Sequence, residues 1–206
     1  MVNSKKMNEH LQFLRKLKSV TFATVEENKP CVRIADVMLC EDDVLYFLTG
    51  RGKPFFKQLK NNPQISIIGM DKKYKTVRVS GRAEAVGREY VDKIFEANPM
   101  MNDLYPGEKR DILDAFCLKN GEGEMFDLGA NPVDREFFTF GNVKTKRIGY
   151  HITDDCIACG ACKDECIIGS ISEGTPYKID NRNCLECGRC VSFCPVNAIK
   201  EPKYYK

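Results

Sequence analysis

Eight of the eleven cysteines fall between Cys156 and Cys194, in two runs: CIACGACKDEC from Cys156 and CLECGRCVSFCP from Cys184. Both have the spacing C-x2-C-x2-C-x3-C. Three thiolates two residues apart can wrap one face of a cubane iron–sulfur cluster in a tight loop, and Gly160 and Gly188 let the backbone turn close to the inorganic sulfide. The fourth thiolate must come from elsewhere, because the local loop does not reach the last iron. Zinc sites usually pair two C-x-x-C knuckles across a longer loop, a different pattern. A disulfide framework is the habit of small exported chains. The spacing therefore points to two 4Fe-4S clusters, with Cys156, Cys159, Cys162, Cys166, Cys184, Cys187, Cys190 and Cys194 as the metal ligands.

The duplicated run resembles the two-cluster ferredoxins of bacteria, in which the fourth cysteine of each run serves the other cluster. The resemblance implies crossed sets: Cys156, Cys159, Cys162 and Cys194 for one cluster, and Cys184, Cys187, Cys190 and Cys166 for the other. Pro195 follows the second run as that pattern expects, whereas Ile167 takes the place in the first. Ile157, Ile168, Ile171, Ile179, Leu185, Val191 and Ile199 are expected to form a dry shell. Cys31, Cys40 and Cys117 are expected to be small buried hydrophobes.

The residues before this array read as the frame of a sheet. Met7, Leu11, Leu14 and Leu17 make one stripe of an opening helix. Residues 20–25, the polar turn from Glu26 to Lys29, and residues 31–39 read as a hairpin, with a third strand at 44–49. Pro54 opens a short helix that Pro63 ends, and strands follow at 64–70 and 76–86. Tyr90, Ile94 and Phe95 mark another helix, 100–107 is loop-like, and 115–128 and 136–140 read as further strands. Many strands on short connections close most simply as an antiparallel barrel with peripheral helices. The composition changes near residue 150, so residues 1–145 are expected to form the barrel and 146–206 the cluster domain.

The segments FLRKLKSVTFATVEENKPCVRIADVML, VLYFLTGRGKPFFKQLKNNPQISI and VRVSGRAEAV, in that order, resemble the FMN-binding split barrels of the pyridoxamine 5'-phosphate oxidase-like family. The expected fold is therefore α+β: an antiparallel split β-barrel with peripheral helices, followed by a small ferredoxin-type iron–sulfur domain. The resemblance implies FMN, with Arg33, Lys53 and Lys57 on its phosphate. Backbone at Ile34 and Ala35, and the strand end Leu48-Thr49, would approach the ring and ribityl chain. Arginine and lysine suit a phosphate that carries nearly two negative charges; the alternative is that these cations are a solvated strand and helix face. The resemblance also implies a homodimer. The oxidase itself carries a tryptophan and substrate-binding Arg and His residues. This chain has no tryptophan and only His10 and His151, so oxidation of the vitamin phosphate is not expected, and axial haem ligands are few. His10, on the opening helix, is expected at the surface.

A net charge of +3 from 32 basic and 29 acidic residues gives no basic field for nucleic acid. No stretch reads as a membrane span or a signal peptide, and a cytoplasmic location is expected. From Tyr150 onward seven basic residues face eight acidic ones, and ligation would deprotonate each cysteine, so this part favours a basic partner surface. Flavin handles one or two electrons and each cluster one, so the expected function is a redox protein passing electrons between clusters and FMN. Its partners would be a redox protein or a small-molecule substrate to be reduced. The alternatives are a pure electron carrier without flavin and a redox or oxygen sensor.

Overall fold

The computed structural model describes residues 4–144 and 146–205. Two compact units emerge, one of residues 1–125 with 138–143, the other of 126–137 with 144–206.

The chain opens with α1 (Ser4–Leu17). It continues through β1 (Ser19–Glu26), β2 (Lys29–Asp36), β3 (Leu39–Glu41), β4 (Val44–Gly50) and α2 (Pro54–Asn61). Next come β5 (Gln64–Met70), β6 (Lys75–Arg82), β7 (Glu84–Ala85), α3 (Arg88–Ala97) and α4 (Met101–Leu104). A 3-10 turn over Gly107–Ile112 precedes β8 (Leu113–Leu118), β9 (Gly121–Asp127) and β10 (Asp134–Phe140). The strands form a six-stranded sheet ordered β10-β9-β6-β5-β1-β2 and a four-stranded sheet ordered β3-β4-β8-β7.

Two segments expected as single strands instead bend and change sheets, and this makes the barrel. After β2 the amide of Val37 bonds the Lys18 carbonyl and the amide of Met38 bonds the Tyr46 carbonyl, which hands the chain from one sheet to the other. The stretch 76–86 divides likewise: Ala83 bonds Pro63 on one side, and Val86 bonds Ala115 on the other. The expected strand 115–128 is two strands around the turn at Lys119 and Asn120, and the expected loop 100–107 contains α4. Glu27 and Asn28, with φ of 50° and 61°, form the hairpin turn that suits the right-handed strand twist.

The core lies between the sheets and α1. Leu11, Leu14, Phe22, Phe47, Ile67 and Val77 are fully buried. A Cβ at Gly69 would stand 2.6 Å from Leu17 Cδ1, so its absence lets α1 lie directly on β5. The side chain of Met7, first of the expected stripe, lies outside the described residues. His10 corrects its surface expectation: it is 4 % exposed and its ring lies 4.8 Å from that of Phe138. Cys40 and Cys117 are buried as expected, but Cys31, on the edge strand β2, is only partly covered.

The second unit is built from short pieces: β11 (Lys146–Ile148), β12 (His151–Ile152), α5 (Ala161–Asp164), β13 (Ile171–Ser172) and β14 (Lys178–Ile179). It ends with α6 (Arg189–Ser192), β15 (Ile199–Lys200) and β16 (Lys203–Tyr205). Strand β12 pairs with β15, β13 with β14 and β11 with β16. The first pairing brings the segment before one cysteine run against the segment after the other. Among the described residues no helix is long and apolar enough to cross a membrane.

Candidate functional site

The two cysteine runs adopt the same backbone. In the first loop Ala158 and Gly160 have positive φ (53° and 85°); in the second, Glu186 and Gly188 do (55° and 74°). After the fourth cysteine of each run, Gly169 (66°) and Asn197 (52°) repeat the match. At these places the αL residue, or the one after it, turns its amide toward sulfur. The Ala158 amide donates to Cys156 Sγ at 3.4 Å and the Glu186 amide to Cys184 Sγ at 3.3 Å. The amides of Ser170 and Ala198 likewise donate to Cys166 and Cys194, at 3.3 and 3.2 Å. Amides aimed at sulfur stabilise thiolate over thiol. At Cys166 burial pushes the thiol up, but the bonds from Ser170, Ile168 and Gly169 outweigh it and the net shift is downward.

Two cavities result. One is lined by Cys156, Cys159, Cys162 and Cys194 with Ile152, Ile157, Tyr177, Val196 and Ile199. The other is lined by Cys166, Cys184, Cys187 and Cys190 with Tyr150, Ile168, Ile171, Ile179 and Leu185. The grouping by cavity is the crossed one. Among the described residues no group of three or more His, Cys, Asp or Glu is placed to hold a single metal ion. Four thiols line each cavity, and that donor set fits a cubane, where every thiolate takes its own iron. Of the expected dry shell, Ile171 and Ile199 are buried and Ile168, Ile179, Leu185 and Val191 half-buried. Ile157 is a correction: it is 61 % exposed although it lines the first cavity.

One feature of the second loop is absent from its sequence pattern. The Glu186 carboxylate meets Arg135 Nη1 at 3.1 Å, and Arg135 is 8 % exposed. Nothing in the spacing of the cysteines points to an arginine so far upstream.

In the barrel, α2 carries the candidate phosphate site. Its Phe55 wedges between strands, with ring centroids 5.8 Å from both Phe22 and Phe47. Arg33, opposite Phe22 in the β1–β2 register, lies over the Phe55 ring at 4.5 Å. Its Nη1 donates to Thr24 Oγ1 at 2.7 Å and its Nη2 to Gln58 Oε1 at 2.5 Å; Gln58 Nε2 in turn donates to Glu26 at 3.0 Å. Burial lowers the Arg33 pKa, with the charges of Cys31 and Glu26 acting the other way. Lys53, at the N-cap of α2, and Lys57, on the helix, are exposed, so this helix with its start and the strand against it hold the three expected cations. Thr24 and Gln58, which anchor Arg33, were not singled out from sequence; both are ordinary polar residues until the fold buries them.

Ala35 is half-buried on the core side, whereas the Ile34 side chain points to the opposite face and is 68 % exposed. Leu48 and Thr49 also face opposite ways: Leu48 packs with Tyr46 and Ala115, while Thr49 is 3 % exposed and its hydroxyl has no hydrogen-bond partner among the described residues. An orphaned buried hydroxyl at the strand end before α2, together with three cations about that helix, fits a polar, phosphate-bearing ligand. Arg51, missed from sequence, reaches the same strand end and bonds Asp114 at 2.8 Å.

Fold and cavities define a split-barrel protein joined to a ferredoxin-type iron–sulfur domain. The model of the family described as Pyridoxamine 5'-phosphate oxidase matches residues 7–116, and the chain belongs to that family. A 4Fe-4S binding domain matches residues 177–200. A ferredoxin of Butyribacterium methylotrophicum is 61 % identical over 31 residues, 15 % of this chain and 56 % of that one. The chain thus spans little more than half the length of the curated relatives it matches. A crystal structure of a NimC/NimA family protein from Clostridium acetobutylicum is similar, with a TM-score of 0.59 and 27 % identity over 66 % of this chain and 93 % of that one. A general stress protein 26-related protein of the pyridoxinephosphate oxidase family, also from Clostridium acetobutylicum, shares the fold. Its TM-score is 0.51 and its identity 17 %, covering 68 % of this chain and 97 % of that one. The joined architecture supports a role in redox chemistry and electron transfer.

Proposed function

We propose that this chain is a flavin and iron–sulfur redox protein that passes electrons between two 4Fe-4S clusters and FMN, and that it serves as a reductase of a small molecule. The observation that carries the reading is the division of eight thiols between two cavities, four to each, with one thiol of every set drawn from the other run. In this reading Cys156, Cys159, Cys162 and Cys194 hold one cluster, and Cys166, Cys184, Cys187 and Cys190 the other. Residues 1–145 form the flavin domain and 146–206 the cluster domain.

Bound clusters supply one-electron transfer and bound FMN joins it to two-electron chemistry. The chain's own residues prepare both. Amides of Ala158, Ser170, Glu186 and Ala198 hold negative charge on sulfur. Ile199 in the first cavity and Ile171 in the second are buried and keep water from the sulfurs, which bears on potential. Lys53 and Lys57 hold the flavin phosphate as point charges. Arg33, fixed by Thr24 and Gln58, presents its remaining edge to that phosphate. Backbone at Ile34 and Ala35 and the Leu48-Thr49 strand end line the rest of the flavin.

A homodimer is part of the reading. Val32 and Ile34 on the edge strand β2 and Ile68 on β5 share one sheet face through their pairing with β1, and are 65 %, 68 % and 42 % exposed. An apolar face of that kind favours burial by a second chain. The protein acts in the cytoplasm, with a separate redox protein as electron donor.

The testing experiment is purification without air followed by iron, sulfide and flavin analysis. Two clusters per chain and FMN released on denaturation are expected. Stoichiometric zinc without sulfide would overturn the cluster reading, and clusters with no flavin would leave a pure electron carrier.

A further inference from the structure

The two cysteine loops match in backbone but differ in charge. Where the first has Ala158, the second has Glu186, and both residues donate their amide to the first sulfur of their run. The Glu186 carboxylate is brought two residues from Cys184 and one from Cys187, and its side chain is 19 % exposed. An uncompensated carboxylate there would oppose the arrival of an electron. Arg135 stands against it at 3.1 Å. Its guanidinium lies 4.7 Å from the Phe126 ring centroid and 5.7 Å from that of Phe137, a setting that favours a cation.

We infer that Arg135 is a positioning residue for the cluster assigned to the cavity of Cys184, holding its reduction potential up by compensating Glu186. The inference rests on the two-cluster reading above. One-electron reduction places one more negative charge among the four thiolates of that cavity. The Arg135 guanidinium stands on the same side as that charge, in buried surroundings of low dielectric where a charge acts strongly. Net charge, bonds to sulfur and solvent exposure set the potentials of such clusters. Arg135 bears on the first directly, and through Glu186 it fixes the loop whose amide bonds Cys184. The loop of Cys156 carries no such pair, because Ala158 has no carboxylate. The effect is therefore confined to one of the two clusters.

The test is a dithionite titration of the full chain, loaded without air and followed by electron paramagnetic resonance, on four proteins besides the wild type. Arg135→Gln lowers the potential of one cluster by about tenfold in equilibrium constant, about 59 mV for one electron, and leaves the other unchanged. Arg135→Lys keeps most of the potential, because the charge remains. Glu186→Gln alone raises it. Arg135→Gln combined with Glu186→Gln returns it toward the wild-type value. Unchanged potentials in Arg135→Gln, equal shifts of both clusters, or an Arg135→Lys protein that matches Arg135→Gln would overturn the inference. If Arg135→Gln does not load, Glu186→Gln decides: one raised potential supports the inference and no change overturns it. A wild-type chain that assembles fewer than two clusters would refute the two-cluster reading itself, a result distinct from two clusters that ignore Arg135.

Discussion

Cys194 shares a cavity with Cys156, at the other end of the cysteine-rich segment, and not with Cys190 only four residues before it. The pairing of β12 with β15 produces this, because it sets Ile152, just ahead of Cys156, against Ile199, just beyond Cys194. Cys194→Ala should therefore remove the cluster of Cys156 and spare that of Cys184, so that iron falls from about eight to about four per chain. Adding Cys156→Ala should cost no further iron, whereas adding Cys184→Ala should remove the remainder. Iron and sulfide analysis of the three proteins checks this.

Lys53, at the N-cap of α2, and Lys57, on that helix, are both exposed. Replacing both with alanine is expected to leave thermal stability within about 0.5 kcal/mol. FMN affinity should fall by at least roughly a hundredfold, since each charge-assisted bond contributes about 1.5–3 kcal/mol. Riboflavin, which lacks the phosphate, should bind both proteins equally. Fluorescence titration with the two flavins separates these outcomes.

Arg33 should behave differently from the lysines, because it is tied into the structure. Its removal leaves Thr24 and Gln58, 2 % and 4 % exposed, without the donor they share. Arg33→Ala is expected to destabilise the flavin-free protein by about 1–3 kcal/mol, read as a lowered Tm. An unchanged Tm would mean that the guanidinium is held by the ligand and not by the barrel.

Burial, with the charge of Asp43 as the next cause, pushes the Cys40 thiol up to about 12, and burial raises Cys117 as well. A thiol whose folded pKa exceeds its unfolded value favours the fold while it stays neutral. This contribution is complete below about pH 9 and is lost as pH climbs toward about 12. In the cluster-loaded native protein at pH 8, iodoacetamide should label Cys31 while Cys40 and Cys117 stay unlabelled; peptide mass mapping reads this. Stability should decline above about pH 9, in urea titrations at increasing pH.

The elements legible in the sequence were those with a local cause. The stripe through Leu11 and Leu14, the turn at Glu27 and Asn28, the proline that opens α2 and the spacing of the cysteines each act within a few residues. What escaped depends on distant partners. The bends at Val37 and Ala83 exist because those amides find distant carbonyls, at Lys18 just ahead of β1 and Pro63 just ahead of β5, and no local residue marks them. His10 looked like a surface residue until β10 placed Phe138 against it. In the candidate sites, Arg33 was legible as a cation but its anchors Thr24 and Gln58 were not, and the link from Arg135 to Glu186 joins residues with no sequence signal in common.

Anaerobic stopped-flow reduction, followed at the FMN absorbance, tests the central claim most directly. The full chain is compared with a full-length Cys159→Ala, Cys187→Ala protein that still binds FMN, each mixed with reduced ferredoxin as donor. With both redox units on one chain, as proposed, their effective concentration is high, and FMN in the intact protein should be reduced at least about a hundredfold faster than in the variant. Equal rates in the two proteins would contradict the account, since the donor would then be reaching the flavin without passing through the clusters.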